Sequence, residues 1–440
     1  MSYKHSVVLL CFAVRVFAQS GLDLQLMTHE RMMQSSRMDM SDMQKTTTAG
    51  AFLMNLATGT AVNPSAWPMP MLMRNFGSWQ TMFMGQAFLV ETQQSGPRGG
   101  DKLYAPNWFM GMAEHSLGNR SAFQFQLMMS LEPATVTGRR YPLLFQTGET
   151  AFGKPIVDAQ HPHDLFMGIA LQYARALNEN TILELSYSPV GDPALGPIAF
   201  PHRASAIEMP QATLGHHWQD STHIANNVLT AGIAWRNLKL EASGFRGREP
   251  DENRWNIDWG PMDSWSARLW FFPNERWVFQ TSLGHLAHPE ALHASDIVRA
   301  TASVHYTRPL RGTYWSSSLL WGRNHATVSG RNTNSYGVES LFPLTRHNLI
   351  TGRAELVDKD ELFAYDHHLE EATTARYGST FRIGAYSFGY VRELPVFRSF
   401  DAAIGFNVQR YAVPSPLKPY YGNHPVGGSV YLRIRLRSPA

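Results

Sequence analysis

The sequence predicts an all-β protein. It reads as a transmembrane antiparallel β-barrel of about sixteen strands, with long outside loops partly plugging the lumen. Three observations carry that reading. Apolar and polar residues alternate with period two in stretch after stretch. The connections between those stretches alternate short and long along the chain. The last stretch sets Val430, Leu432, Ile434 and Leu436 on one face and Tyr431, Arg433, Arg435 and Arg437 on the other. Successive strand residues point to opposite sides. A soluble sandwich would bury the apolar face and wet the arginines. A bacterial outer-membrane barrel turns the apolar face to lipid and the arginines to a wet lumen. A strand so near the chain end suits closure by pairing with the first.

Composition narrows the alternatives. The chain has 440 residues, enough for two or three soluble domains or one large barrel. A formal charge of +3 is too small to imply nucleic acid as a partner. Charged residues make up 17%, below the usual share of about 25%. Aromatic residues reach 12%, which suits a wall with lipid on one side. No run approaches the ~18 apolar residues a membrane helix needs. That excludes a helical membrane protein and leaves a barrel open.

Taken in order, Lys4 and the apolar run 6–18, ending Val16-Phe17-Ala18, predict a signal peptide over 1–18. A buried first strand is the alternative. The only cysteine, Cys11, lies there, so the mature chain would have no disulfide. Residues 19–76 read as a flexible, Met-rich periplasmic lead-in, with Met27, Met32, Met33, Met38, Met40 and Met43 among polar residues. Pro64, Pro68 and Pro70 make its end extended. The barrel is expected over 77–437.

Alternation starts at Trp79. Thr81, Phe83, Ala87 and Leu89 share its face, while Gln80, Met82, Met84 and Gln86 oppose them. The same pattern sets Leu238, Leu240 and Ala242 against Lys239, Glu241 and Ser243. It sets Trp265, Ala267 and Leu269 against Ser266 and Arg268, and Val298 and Ala300 against Arg299 and Thr301. Arg268, Arg299, Arg433, Arg435, Lys239 and Glu241 are therefore expected to line the lumen. Short connections fall near 117–120, 178–180, 236–237, 273–275, 309–312, 343–347 and 393–398. Long ones fall near 93–102, 133–163, 189–225, 247–262, 287–296, 324–332, 358–373 and 412–427. Short turns on one side and long loops on the other mark a single-chain barrel with both termini in the periplasm.

Two loops hold the candidate chemistry: Asp158–Asp164 closes one, and 191–223 forms the other. They contain His161, His163, Asp164, His202, His216, His217 and His223. Neutral imidazole with carboxylate suits Zn(II), Cu(II) or Ni(II), although no spacing such as HExxH is present. The competing reading is a buried hydrogen-bond network that pins the loops to the wall. His161 and His163, two apart in an extended segment, would point the same way and share a partner. Met82, Met84, Met110, Met112 and Met128 would face the lumen on three adjacent strands, with Met69, Met71 and Met73 nearby. Thioethers are soft ligands for Cu(I) or Ag(I); the competing reading is gap-filling. An enzyme is not expected. There is no GxSxG, and Ser221 and His223 are close only in sequence.

Several stretches carry a resemblance: Trp67-Pro-Met-Pro-Met-Leu-Met73, Gln94-Ser-Gly-Pro-Arg-Gly-Gly-Asp-Lys102, Gln160-His-Pro-His-Asp164, Gly191-Asp-Pro-Ala-Leu-Gly-Pro197 and His216-His-Trp-Gln-Asp-Ser-Thr-His223. Through them the chain resembles an uncharacterised family of bacterial outer-membrane β-barrels found near heavy-metal or copper efflux systems. The resemblance implies outer-membrane lipid and lipopolysaccharide as surroundings. It also points to efflux-system partners, and Cu or Zn stays the candidate ion that the residues themselves suggest. The residues leave two roles open: porin-like passage of small solutes or ions, biased towards anions by Arg299, Arg433 and Arg435, or metal handling through Met and His. The leader has many Met but only His29, a departure from mixed Met/His copper leaders.

Overall fold

A computed structural model describes residues 47–291, 295–378, 380–397 and 399–436. The signal peptide and residues 19–46 of the lead-in lie outside them. Sixteen antiparallel strands close into one barrel. They are β1 (Trp79–Gln94), β2 (Gly100–Tyr104 continued by Asn107–Leu117), β3 (Ser121–Met129), β4 (Phe166–Asn178), β5 (Thr181–Gly191), β6 (Ala225–Trp235), β7 (Leu238–Arg246) and β8 (Ser264–Asn274). Then come β9 (Trp277–Leu286), β10 (Ile297–Leu310), β11 (Thr313–Ala326), β12 (Asn332–Thr345), β13 (Asn348–Lys359), β14 (Phe381–Phe397), β15 (Phe400–Ala412) and β16 (Val426–Leu436). The break in β2 falls at Ala105-Pro106, where proline removes a ladder donor. The strand number and the alternation of short and long connections are as the sequence predicts.

Closure joins the two ends of the chain. β16 pairs with β1 from Gln86↔Arg435 to Gln94↔Gly427. Where β16 stops, the segment Leu72–Phe76 takes over the same edge of β1, from Leu72↔Phe83 to Phe76↔Trp79. No edge strand is left over that span.

Each strand turns an apolar face outward. Leu89, Leu240, Leu269, Ile404, Leu432 and Ile434 are exposed, whereas Lys239, Glu241, Arg268, Arg299 and Arg433 are buried on the other side. At the short-turn rim the rings of Trp277, Tyr306, Trp315 and Phe342 follow one another at 4.6, 5.3 and 5.9 Å. Amphipathic rings gather in this way at a membrane–water interface.

The expectation of a flexible lead-in over 19–76 does not hold for residues 47–76. Thr47 caps helix α1 (Thr48–Met54) by accepting from the Gly50 N–H at 3.1 Å. Ala49, Leu53 and Met54 are buried. The following residues turn back through a Leu56↔Val62 bridge. There Thr60 donates to Glu241 Oε2 at 2.7 Å, and Lys239 Nζ donates to the Thr60 carbonyl at 2.7 Å. Residues 47–66 lack alternation because they are interior filling, rich in Ala, Gly and Thr, and no part of the wall.

The connection from β5 to β6 lies inside as well. Every residue from Gly191 to Ile224 is buried. A buried irregular backbone needs partners for its polar groups, and the lumen face of the wall supplies them. Ala194 N–H meets Ser243 Oγ at 2.8 Å, Gly196 N–H meets Ser282 Oγ at 2.9 Å, and Gly215 N–H meets Glu355 Oε1 at 3.0 Å. Arg203 forks onto Glu339 through Nε and Nη2 at 2.8 and 3.0 Å, and Arg353 Nε reaches the same carboxylate at 3.0 Å.

The arginines expected to bias an open lumen towards anions are spoken for. Arg433 and Arg435 bind Glu208 of the interior segment and Asp401 of β15. Arg299 donates to Ser221 at 2.9 Å and to Asn324 at 2.9 Å. Alternation places charges inward, but the interior segments bring the counter-charges.

Two substitutions test this arrangement. Leu432→Arg, mid-strand on the lipid face, should destabilise the folded barrel by about 2–4 kcal/mol, against about 0–1 for Phe400→Arg near the rim. Glu339→Gln takes the ion-pair partner of buried Arg353 and leaves Arg203 with Asp220 alone, and should cost about 3–5 kcal/mol. Denaturant midpoints in lipid vesicles read both, and equal midpoints for the two arginine variants would contradict the assigned lipid face.

Candidate functional site

Two clusters sit side by side in the lumen. The first is sulfur-rich. The ladder pairs Met82 with Met112, Met84 with Met110, and Met110 with Met128. Residues facing one another across strands have Cβ atoms about 5 Å apart, so these thioethers are neighbours. Met167 of β4 and Met54 of α1 join them, all buried. Met69, Met71 and Met73, spaced two apart in the extended proline-flanked segment, pack on from the edge. Ten methionines among the described residues thus share one cluster. Gln126 Nε2 donates to Met110 Sδ at 3.1 Å, so at least one sulfur already acts as an acceptor. Met54 was hidden in the lead-in. Met167 was hidden too: by alternation it shares the outward parity of Leu171, and a register shift at the start of β4 accompanies its burial.

The second cluster is a line of imidazoles. Ring centroids run His161–His217 6.2 Å, His217–His216 5.4 Å, His216–His223 5.3 Å and His223–His163 5.4 Å. His202 ends the line against Trp108 at 4.2 Å, and Trp108 packs in the methionine cluster. Local structure sets these directions. His216–Gln219 is one helical turn, so adjacent His216 and His217 point about 100° apart. His216 faces Asp220, four residues on, at 2.7 Å. His217 faces out to Glu290 at 3.1 Å and Glu249 at 3.5 Å.

His161 and His163 do not share a partner. Residues 161–164 are not strand, so period two does not apply. His161 Nε2 meets Glu149 at 3.0 Å, and His163 meets Glu132 at 2.9 Å. Asp164 stands apart from the imidazoles and binds Arg254 at 3.2 Å. Ser221 and His223 are unpaired with each other: Ser221 accepts from Arg299, and His223 Nδ1 lies 2.8 Å from the Asp220 carbonyl.

The electrostatics divide the line. Burial pushes His202 down to about 3 and His216 to about 4, and holds His161 and His223 below their ordinary value. These rings are neutral at pH 7 and keep a lone pair. His223 directs Nδ1 at a carbonyl, which leaves Nε2 as its lone-pair nitrogen, buried and without a hydrogen bond. His217 is the exception. Burial works against its charge, but Glu290 and Glu249 raise it to about 10. Burial likewise works against Asp220, yet His216 and Arg203 hold its carboxyl at about 2.

No family model matches the chain. Among curated proteins it is 29% identical over 175 residues to a pyridoxine/pyridoxamine 5′-phosphate oxidase of Salinispora arenicola, covering 39% of this chain and 76% of that protein. Among solved structures it is similar to Salmonella typhi OmpF, solved with daunomycin. The TM-score is 0.51 at 9% identity, over 83% of this chain and 100% of that one. Pseudomonas putida OprB gives 0.51 at 8% identity, over 81% and 94%. An anion-selective porin from Comamonas acidovorans gives 0.49 at 10% identity, over 81% and 99%. The fold is that of the outer-membrane porins, and the protein is an outer-membrane β-barrel.

The depressed His202 has a measurable signature. Between pH 6.5 and about 3 the unfolded chain binds a proton there that the folded chain refuses. Its contribution to stability is complete above pH 6.5 and is lost on acidification. Wild type should therefore lose about 1.4 kcal/mol per pH unit more than His202→Gln between pH 6 and 5. Asp192, which burial pushes up to about 8, has the opposite sign but cancels between the two proteins. Parallel denaturant-midpoint curves for the two would refute the neutral buried imidazole.

Proposed function

We propose that the protein is a porin-like transport barrel of the bacterial outer membrane whose small cargo is a soft metal ion, Cu(I) or Ag(I). One observation carries the reading: ten thioethers, seven buried and three half-buried, share one lumen cluster beside a line of imidazoles in which His202, His216 and His223 are held neutral. Thioether and imidazole together favour soft and borderline ions over the hard cations that carboxylates and waters hold. Gap-filling alone would be met as well by leucine. It gives no reason for sulfur at paired positions on β1, β2 and β3.

The interior segments make passage gated, not open. They neutralise the inward arginines, so a charge-selected anion pore is the weaker reading. Outer-membrane lipid and lipopolysaccharide surround the wall in this proposal. A partner on the periplasmic side, such as an efflux system, would exchange the ion. No step requires an enzyme.

Titration of the purified, detergent-folded protein with Ag(I) tests the proposal. Leucine has nearly the volume of methionine, so Met82→Leu/Met84→Leu/Met110→Leu should fold and lose binding by tenfold or more. Wild-type protein that binds no more Ag(I) than a methionine-poor porin would end the proposal. Conductance like that of an open porin in a planar bilayer would favour plain solute diffusion.

A further inference from the structure

We propose that His217, Glu249 and Glu290 form a site for a borderline divalent cation such as Zn(II), which ties three outside loops together at the mouth of the barrel. The inference does not rest on the soft-ion reading. It uses different residues, different ligand chemistry and a position two rings away from His223 along the imidazole line.

The three residues come from three connections. His217 lies between β5 and β6, Glu249 between β7 and β8, and Glu290 between β9 and β10. One ligand atom from each lies within 4.8 Å of the others. His217 Nδ1 is 3.1 Å from Glu290 Oε1 and 3.5 Å from Glu249 Oε1. The side chains are 6%, 7% and 12% exposed for His217, Glu249 and Glu290.

An ion pair alone leaves this cluster short of donors. A protonated His217 offers Nδ1–H to one carboxylate. Both oxygens of Glu249, Oε2 of Glu290 and Nε2 of His217 are buried with no hydrogen bond. Each such group costs about 1–3 kcal/mol to leave unmet, more when charged. Arg299 and Ser221 lie beside Glu249. Arg299 donates through Nε to Asn324 and through Nη1 to Ser221, and its Nη2 is buried with no hydrogen bond, so it lowers the local charge without bonding the carboxylates. One nitrogen and two carboxylates suit a four-coordinate Zn(II), with water in the remaining position.

The surroundings suit such a site. A cavity of about 270 Å³ opens beside His217 and Glu290, bordered by Thr147, Ser295 and Asn324. It provides room for a bound water and a way in. The Glu249 N–H donates to the Pro289 carbonyl at 3.0 Å, which already joins two of the loops. Gly148, at φ +115°, backs the imidazole so closely that an added Cβ would stand 2.5 Å from His217 Cε1. That glycine fixes the ring from a fourth loop.

The test uses the full folded barrel, with Zn(II) binding followed by equilibrium dialysis and Co(II) binding followed by its visible absorption. Wild type should bind one equivalent and give a tetrahedral Co(II) spectrum. Glu249→Gln/Glu290→Gln keeps the side-chain shapes. It should weaken binding beyond the roughly 10–100-fold that outer-shell changes cost. Gly148→Ala should weaken it too, by displacing His217. Zn(II) should slow tryptic cleavage at exposed Arg248 in wild type and not in the double variant. Ag(I) binding should be unchanged in the double variant, which separates failure of this site from failure of the thioether reading. No Zn(II) binding by wild type, or binding that survives the double substitution, overturns the proposal.

Discussion

A charge that strand alternation turns inward must find its partner inside the barrel, because the other face of the strand is in lipid. The rest of the structure follows from that constraint. Lys239, Glu241 and Arg268 are met by Thr60 and Gly196, from two separate interior segments. Arg433 and Arg435 are met by Glu208, and Glu339 by Arg203. Such pairs are costly to bury and costly to break, since removing one member leaves a charge with nothing around it. They specify the path of the interior chain more than they stabilise it. An interior segment that shifted by one residue would lose several partners at once.

The same pairing explains why the histidine line is mostly neutral. Asp220 is taken up by Arg203, Phe200 N–H and His216, and Asp164 by Arg254. Few carboxylates remain to stabilise imidazolium along the line, so burial decides for His202 and His223. Only at His217 do two uncommitted carboxylates approach one ring, and there the charge is kept. Polarity thus changes along the line, from an acidic outer end to a sulfur-lined inner end.

The wall was legible because its signals are local. Alternation in β1, β7 and β16, and the spacing of turns, depend only on neighbours in sequence. The inward direction of Met82, Met84, Met110 and Met112 followed from the same period. Loops inside the lumen were expected, but the path of the interior chain and the part played by residues 47–71 were not legible, for a physical reason. Residues 47–71 have no amphipathic period because they are surrounded on all sides, and to the eye this resembles a flexible linker. The partners of His217 lie 32 and 73 residues away, across loops with no regular structure. The divergence of His161 and His163 depended on a backbone that leaves strand geometry at Pro162, which the extended reading assumed it would keep.

The shared edge of β1 has a consequence for how the molecule is made. Thr92 hydroxyl reaches the Gly428 carbonyl across 336 residues of sequence, and Leu72–Phe76 completes the edge that β16 leaves open. The ring cannot shut until β16 arrives, and by then the interior segment 47–71 must already lie within. Assembly is therefore ordered like the packing of a vessel before its seam is sewn. Contacts of such long range form slowly, and a chain cut short of Val426 would offer the membrane an unsealed wall with its contents exposed.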